Sequence, residues 1–232
     1  VAATGRGPPG ERIAPVTGVL TPTSFRTRLL AAGLLALAAV AGRPVAAQSH
    51  ADDLAIRAES LALEGRWADL VSICETAARK GALAPALRDR YDLAKLHCDV
   101  TRRHAEPAFR RQLAELSEAD ARSVYGEVLG RIASHHVDSP DFGRLAARGR
   151  RAVDVALDEP SFVSLHAPQA TAERIALYRE QAARIAAARP VGTQADAETS
   201  AAWIARAAQS ILGVAPAVTL LEMSAAAVGG LD

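Results

Sequence analysis

The chain has 232 residues, of which 50% are hydrophobic and 23% charged, with a formal net charge of +1. It is long enough to bury a sizeable core in one large or two small domains, and its balanced charge argues against the cationic surface that nucleic-acid phosphates demand. Aromatic residues are only 4% of the chain while alanine abounds, which favours close-packed helices with small side chains at their contacts over a β-rich fold. Lys80 and Lys95 are the only lysines and asparagine is absent, a pattern of genomic base bias.

Residues 1–47 read as a leader. Arg26 and Arg28 precede an apolar run from Leu29 to Ala41, and Val45-Ala46-Ala47 supplies the small residues that a signal peptidase inspects, so cleavage is expected after Ala47. The alternative is a retained span, although the apolar run falls short of the roughly 20 residues that a bilayer requires. No cysteine follows the run, which argues against a lipoprotein anchor, and Arg26-Thr27-Arg28 is not a twin-arginine pair. General export to a periplasm or the exterior follows, with no membrane contact after cleavage. Residues 1–23 are rich in Pro, Gly and Thr, and the only methionine is Met223, so translation is expected to start at a non-standard codon, either Val1 or Val19; a start at Val19 makes the first stretch an artefact of the reading frame. The leader holds Arg6, Arg12, Arg26, Arg28 and Arg43 against Glu11, which leaves the remainder slightly acidic.

The rest of the chain predicts an all-α protein: helical hairpins over 48–116, then an α-helical bundle over 117–232. Leu54, Leu61 and Leu63 mark a first helix stopped by Gly65; Trp67, Leu70, Val71, Ile73, Cys74 and Ala77 mark a second stopped by Gly81. Pro85 opens a third, with Leu87, Tyr91, Leu96 and Val100, and Pro107 a shorter fourth, with Phe109, Leu113 and Leu116. The Gly65-Arg66-Trp67 turn, with Leu70, Cys74 and Ala77 behind it, resembles the middle of a tetratricopeptide repeat, in which the aromatic packs between paired helices. Irregular hairpins are the other reading, since the match covers little more than one unit. Ser117-Glu118-Ala119-Asp120 predicts a capping box ahead of a helix with Val124, Tyr125, Val128, Leu129 and Ile132 on its apolar face, ending near His136. A further helix is expected from Ser139-Pro140 to the stop at Asp158-Glu159-Pro160, and others over 171–188, from 193 or 194 to 212, and over 216–228. The last is apolar nearly all round, so it either lies centrally in the core or exposes a sticky surface.

No catalytic set, cofactor site or metal site emerges. His97-Cys98-Asp99 and His104 offer ligand types, but His97 and His104 are two turns apart, about 10.5 Å of rise, with Val100 and Thr101 at the intermediate turn. His135, His136 and Asp138 cluster at a helix end, where histidines commonly cap carbonyls or face solvent. Ser161, Ser164 and His166 lack the strand-turn-helix elbow that a hydrolase serine needs. Cys74 and Cys98 sit on neighbouring helices; they are either buried thiols or, in an oxidising compartment, a disulfide.

The run His136-Val137-Asp138, Leu145, Gly149, Ala156-Leu157-Asp158 and Phe162 resembles the segment that opens carboxyl-terminal processing serine proteases, with His136 where those proteins usually have Tyr. Ile211-Leu212-Gly213, Leu220-Leu221-Glu222-Met223 and Gly229-Gly230-Leu231-Asp232 are similar to the helix and Leu-Asp phrase that precede the PDZ domain in longer members. The resemblance covers about residues 117–232. It implies a non-catalytic amino-terminal part of an exported endopeptidase, truncated before the PDZ domain and the Ser/Lys catalytic core, whose helices pack against that missing portion or pair with a second protomer. No catalytic residue carries over, because Lys80 and Lys95 lie outside the matching region. The alternative is a free-standing exported module that binds other proteins through its hairpins.

Overall fold

The computed structural model describes residues 45–81, 83–135 and 139–229. Residues 49–232 form one compact unit, and of the leader only residues 45–47 are described, as the start of the first helix. Among the described residues the fold is all-α, with ten helices: α1 (Val45–Leu63), α2 (Trp67–Arg79), α3 (Pro85–Ala105), α4 (Pro107–Glu115), α5 (Glu118–His135), α6 (Phe142–Ala156), α7 (Pro160–His166), α8 (Ala172–Ala188), α9 (Gln194–Leu212) and α10 (Pro216–Val228). None of these helices is long and apolar enough to cross a membrane.

Proline and glycine set most of the boundaries. Pro85, Pro107, Pro160 and Pro216 each occupy the first turn of a helix, where the missing N–H is one of the orphan donors anyway. Gly65, Gly81 and Gly213 take positive φ of 69°, 66° and 78°, which ends α1, α2 and α9 in a conformation that a β-carbon disfavours. Asp120 N–H donates to Ser117 Oγ at 3.1 Å, as the sequence predicts, while the Asp120 carboxylate accepts from the Ser117 hydroxyl and not from the Ser117 backbone N–H. A full reciprocal capping box stands at Thr193 and Asp196. Two expectations are corrected. Helix α6 starts at Phe142, because Asp141 takes the cap and accepts the Arg144 N–H. The Pro160 phrase, read as a stop, also opens the seven-residue α7.

The core has two parts joined by α3. Leu61 of α1, Leu70 and Cys74 of α2, and Leu87 and Ala94 of α3 form the smaller one. Leu96 and Val100, one turn further along α3, belong to the larger one, which takes in α5, α6, α9 and α10. Helix α10 packs against α5, α6 and α9, and α8 covers the outer side of α9. Pro216 through Leu220, Glu222 through Ser224, Ala226 and Ala227 are all buried. The apolar 216–228 helix is therefore the centre of the bundle and not a mounting surface. The backbones approach closely where side chains are small: a β-carbon at Gly149 of α6 would stand 3.1 Å from Met223 Cβ of α10.

Candidate functional site

The long helix α3 carries a polar stripe through the core. His97, Val100 and His104 recur at helical spacing and all are buried, so the two imidazoles must find partners or pay the desolvation of unpaired polar groups. They find them on two other helices. His97 Nδ1 stands 2.5 Å from Glu159 Oε1, and because a carboxylate only accepts, the imidazole donates. Thr101 Oγ1 donates to the second carboxylate oxygen at 3.0 Å. Glu159 is the N-cap residue of α7, but its side chain caps nothing on its own helix; it pins α7 to α3 instead. The opposite face of His97 is covered by the Trp67 ring, stacked at 3.8 Å between centroids and 9° between planes. The aromatic of the tetratricopeptide-like turn thus packs on the third helix.

One face-length further along, His104 joins a second set. Its Nε2 lies 2.9 Å from Glu222 Oε1 of α10, and Arg103 Nη2 donates to Glu222 Oε2 at 2.5 Å. Its Nδ1 lies 3.0 Å from His166 Nε2 at the C-terminal end of α7. Phe109 and Phe162 close the remaining sides of the His104 ring, edge-on at 5.3 and 4.9 Å. Burial works to raise the Glu222 carboxyl, but the His104 hydrogen bond and the Arg103 charge outweigh it and hold the group below the usual carboxylate range. Burial, reinforced by His104 and only partly offset by Glu222, pushes His166 down to about 4.

The exposed counterpart of this buried network is a groove of about 610 Å³ between α3 and α6. Asp89 and Asp92 line its α3 wall; Arg144, Arg148, Arg150 and Arg151 line its α6 wall together with Asp141 and Asp154, of which Asp154 pairs with Arg150; the edges of the buried Leu96, Ile132 and Leu145 lie between them. Arg148 is partly engaged, donating to the carbonyls of Ala226 and Gly229 at the end of α10, where a cation complements the helix dipole.

The remaining residues singled out in the sequence fall into place. Ser164 donates to the Ser161 carbonyl, and His166 engages His104, so these three do not form a nucleophile and base pair. His135 is exposed at the end of α5, and His136 and Asp138 lie outside the described residues. Cys74 and Cys98 are free, the first buried and the second half-buried, and burial raises both thiols. Asp99 pairs with Arg102 on the surface. Among the described residues no group of three or more His, Cys, Asp or Glu side chains is placed to hold a metal ion. The resemblance residues Leu145, Gly149, Ala156, Leu157 and Phe162 are buried, and Asp158 pairs with Arg179 of α8 at 2.6 Å. What the sequence leaves unseen is the Glu159 and Glu222 partnership with α3. Its only sequence signal is Glu222 itself, the sole charge in 216–228.

No family model, curated protein or solved structure matches the chain.

Proposed function

We propose that the chain is a non-catalytic helical module that binds another polypeptide, and that the groove between α3 and α6 is where it binds. The observation that carries this reading is the unequal charge of the two walls: Asp89 and Asp92 make the α3 side acidic, while on the α6 side Arg144, Arg148, Arg150 and Arg151 outnumber Asp141 and Asp154. The occupant that fits is a protein segment with acidic residues along one edge and basic residues along the other. Opposed charges of this kind fix register and steer encounter. Export remains part of the proposal, supported by the basic and apolar order of residues 26–47.

The test is selection from a library of short peptides. Segments with the stated charge pattern should be enriched. Reversing Arg144 and Arg151 to Glu should weaken their binding at least tenfold, and peptides with the acidic edge changed to Lys should restore it. Binding that ignores the reversal, or no enrichment at all, overturns the assignment.

A second reading is favoured by the α6–α7 packing. The residues resembling carboxyl-terminal processing proteases are the ones that seat these helices on α10 and α3, as expected of a region that mounts a protease. On this reading the groove takes the protease portion or a second protomer. An in-frame PDZ domain and Ser/Lys core encoded after Asp232 supports it; a stop codon there would sink it.

A further inference from the structure

Helix α7 has seven residues, and among them only Phe162 is fully buried. It is held on α3 at both ends by histidines of that helix, through Glu159 at its start and His166 at its finish. We infer that the finish is an acid-released latch: on acidification His166 turns away from His104, the C-terminal end of α7 lifts from α3, and Phe162 and the buried His104–Glu222 pair become accessible.

The hydrogen-bond chemistry of the two rings carries the inference. Glu222 accepts, so His104 Nε2 carries a proton; in the neutral ring Nδ1 is then a bare lone pair, and His166 Nε2 must donate to it. One extra proton still fits this chain of bonds, on either ring, but a second would set two N–H groups against each other at 3.0 Å. Charge makes even the first proton costly. The groups that face the pair are Arg103 of α3 and Glu222 of α10, with the neutral rings of Phe109 from α4 and Phe162 from α7. The single carboxylate is already balanced by the guanidinium, so a proton on the dyad leaves net positive charge on a pair of which His104 is buried and His166 half-buried. The hydrogen bond between His97 and Glu159 lies at the start of the helix and holds it there as the finish lets go.

The direction of the pH effect follows. The closed latch lowers His166 from 6.5 to about 4, whereas the open ring returns to an ordinary value. Closure is therefore fully favoured above about pH 6.5, weakens as the pH falls toward about 4 and changes no further below that, since a depressed base costs stability only as it is forced to charge. The population ratio of open to closed rises by roughly 100-fold between pH 7 and pH 4, toward the limit of about 300-fold that 2.5 units of pKa represent.

Hydrogen exchange of the full chain, corrected for intrinsic rates and compared at pH 7 and pH 4, reads this directly. Amides from Val163 to Ala167 should lose at least tenfold in protection while those of α9 and α10 keep theirs. His166→Phe, which fills the site without titrating, should abolish the difference. Unchanged α7 protection in the wild type overturns the latch, as does loss of α7 protection in step with α9 and α10. An acid response that persists in H166F also overturns it, because Glu159 would then be the trigger. If H166F does not fold, the wild-type comparison decides alone.

Discussion

Replacing Glu222 by alanine should be the most damaging single truncation of a polar residue in this protein. The carboxylate is 1% exposed and receives Arg103 Nη2 at 2.5 Å, Arg103 Nε at 3.4 Å and His104 Nε2 at 2.9 Å. Removing one partner of a buried ion pair typically costs about 3–5 kcal/mol, because the other charge stays behind without compensation. The Arg103 side chain is 22% exposed and can recover part of its hydration by swinging outward, whereas His104, 1% exposed, cannot. The loss should therefore lie near the lower bound, about 3 kcal/mol. Glu222→Gln keeps the volume but turns an N–H toward one of the two donors, and should lose about 2 kcal/mol, the worth of a charge-assisted bond. The double variant Arg103→Met with Glu222→Leu removes the orphaned guanidinium and refills the volume, so it should stand closer to wild type than Glu222→Ala does, but it should not reach wild type, because His104 Nε2 still loses its buried acceptor. Urea unfolding followed by far-UV circular dichroism at pH 7 measures all three, provided the slope with denaturant stays constant. The carboxyl is held below its usual range, so its contribution is fully present above about pH 4.5 and is lost as the pH falls through the folded-state value; the gap between wild type and Glu222→Ala should narrow below pH 4. A loss under 1 kcal/mol for Glu222→Ala, or a double variant no better than the single one, would refute the claim that this pair is desolvated.

Three other substitutions probe the scaffold. Gly149→Val should cost about 1–3 kcal/mol, because even a β-carbon there meets Met223 Cβ at 3.1 Å, and Gly149→Ala should cost less; equal stability of the valine variant in thermal melts would show the α6–α10 contact to be looser than described. Thr193→Ala removes the hydroxyl half of the capping box and should lose about 1 kcal/mol in urea, while a shift within error would mean that Asp196 caps α9 unaided. Tyr178→Phe should leave stability unchanged or raise it slightly, because the buried Tyr178 hydroxyl has no hydrogen-bond partner among the described residues and burial pushes its pKa upward; a loss above 1 kcal/mol would reveal a partner for that oxygen.

The helical order of the chain was readable because its punctuation is explicit. Gly65, Gly81 and Gly213 need positive φ, and Pro85, Pro107 and Pro216 can only begin a helix, so those ends are fixed by covalent geometry and need no tertiary information. Pro160 obeys the same rule, but seven residues with one buried position are too few to display helical periodicity, and the proline registers as an end without a beginning. The start of α6 moved for a related reason: Asp141, like Ser139, is a suitable cap, and local preference does not decide which of them accepts the first N–H.

The candidate site was less legible because its bonds join residues that are far apart along the chain. His97 lies 62 residues from Glu159, and His104 lies 118 from Glu222, so no spacing rule links them. One residue nevertheless announced the network. A lone glutamate in the apolar stretch 216–228 either breaks an otherwise buried helix or demands cationic or donor partners wherever that helix packs. Once α10 is taken as the central helix, the choice of partners narrows to basic residues on the core face of a neighbour. Arg103 and His104, beside buried Val100 on α3, are such residues. Local histidine clusters drew attention to metals and nucleophiles, yet the informative feature was the charge with no local partner. The polar groups of α3 that face the core serve to key α7 and α10 into place, and they could be recognised only once α10 was taken as the central helix.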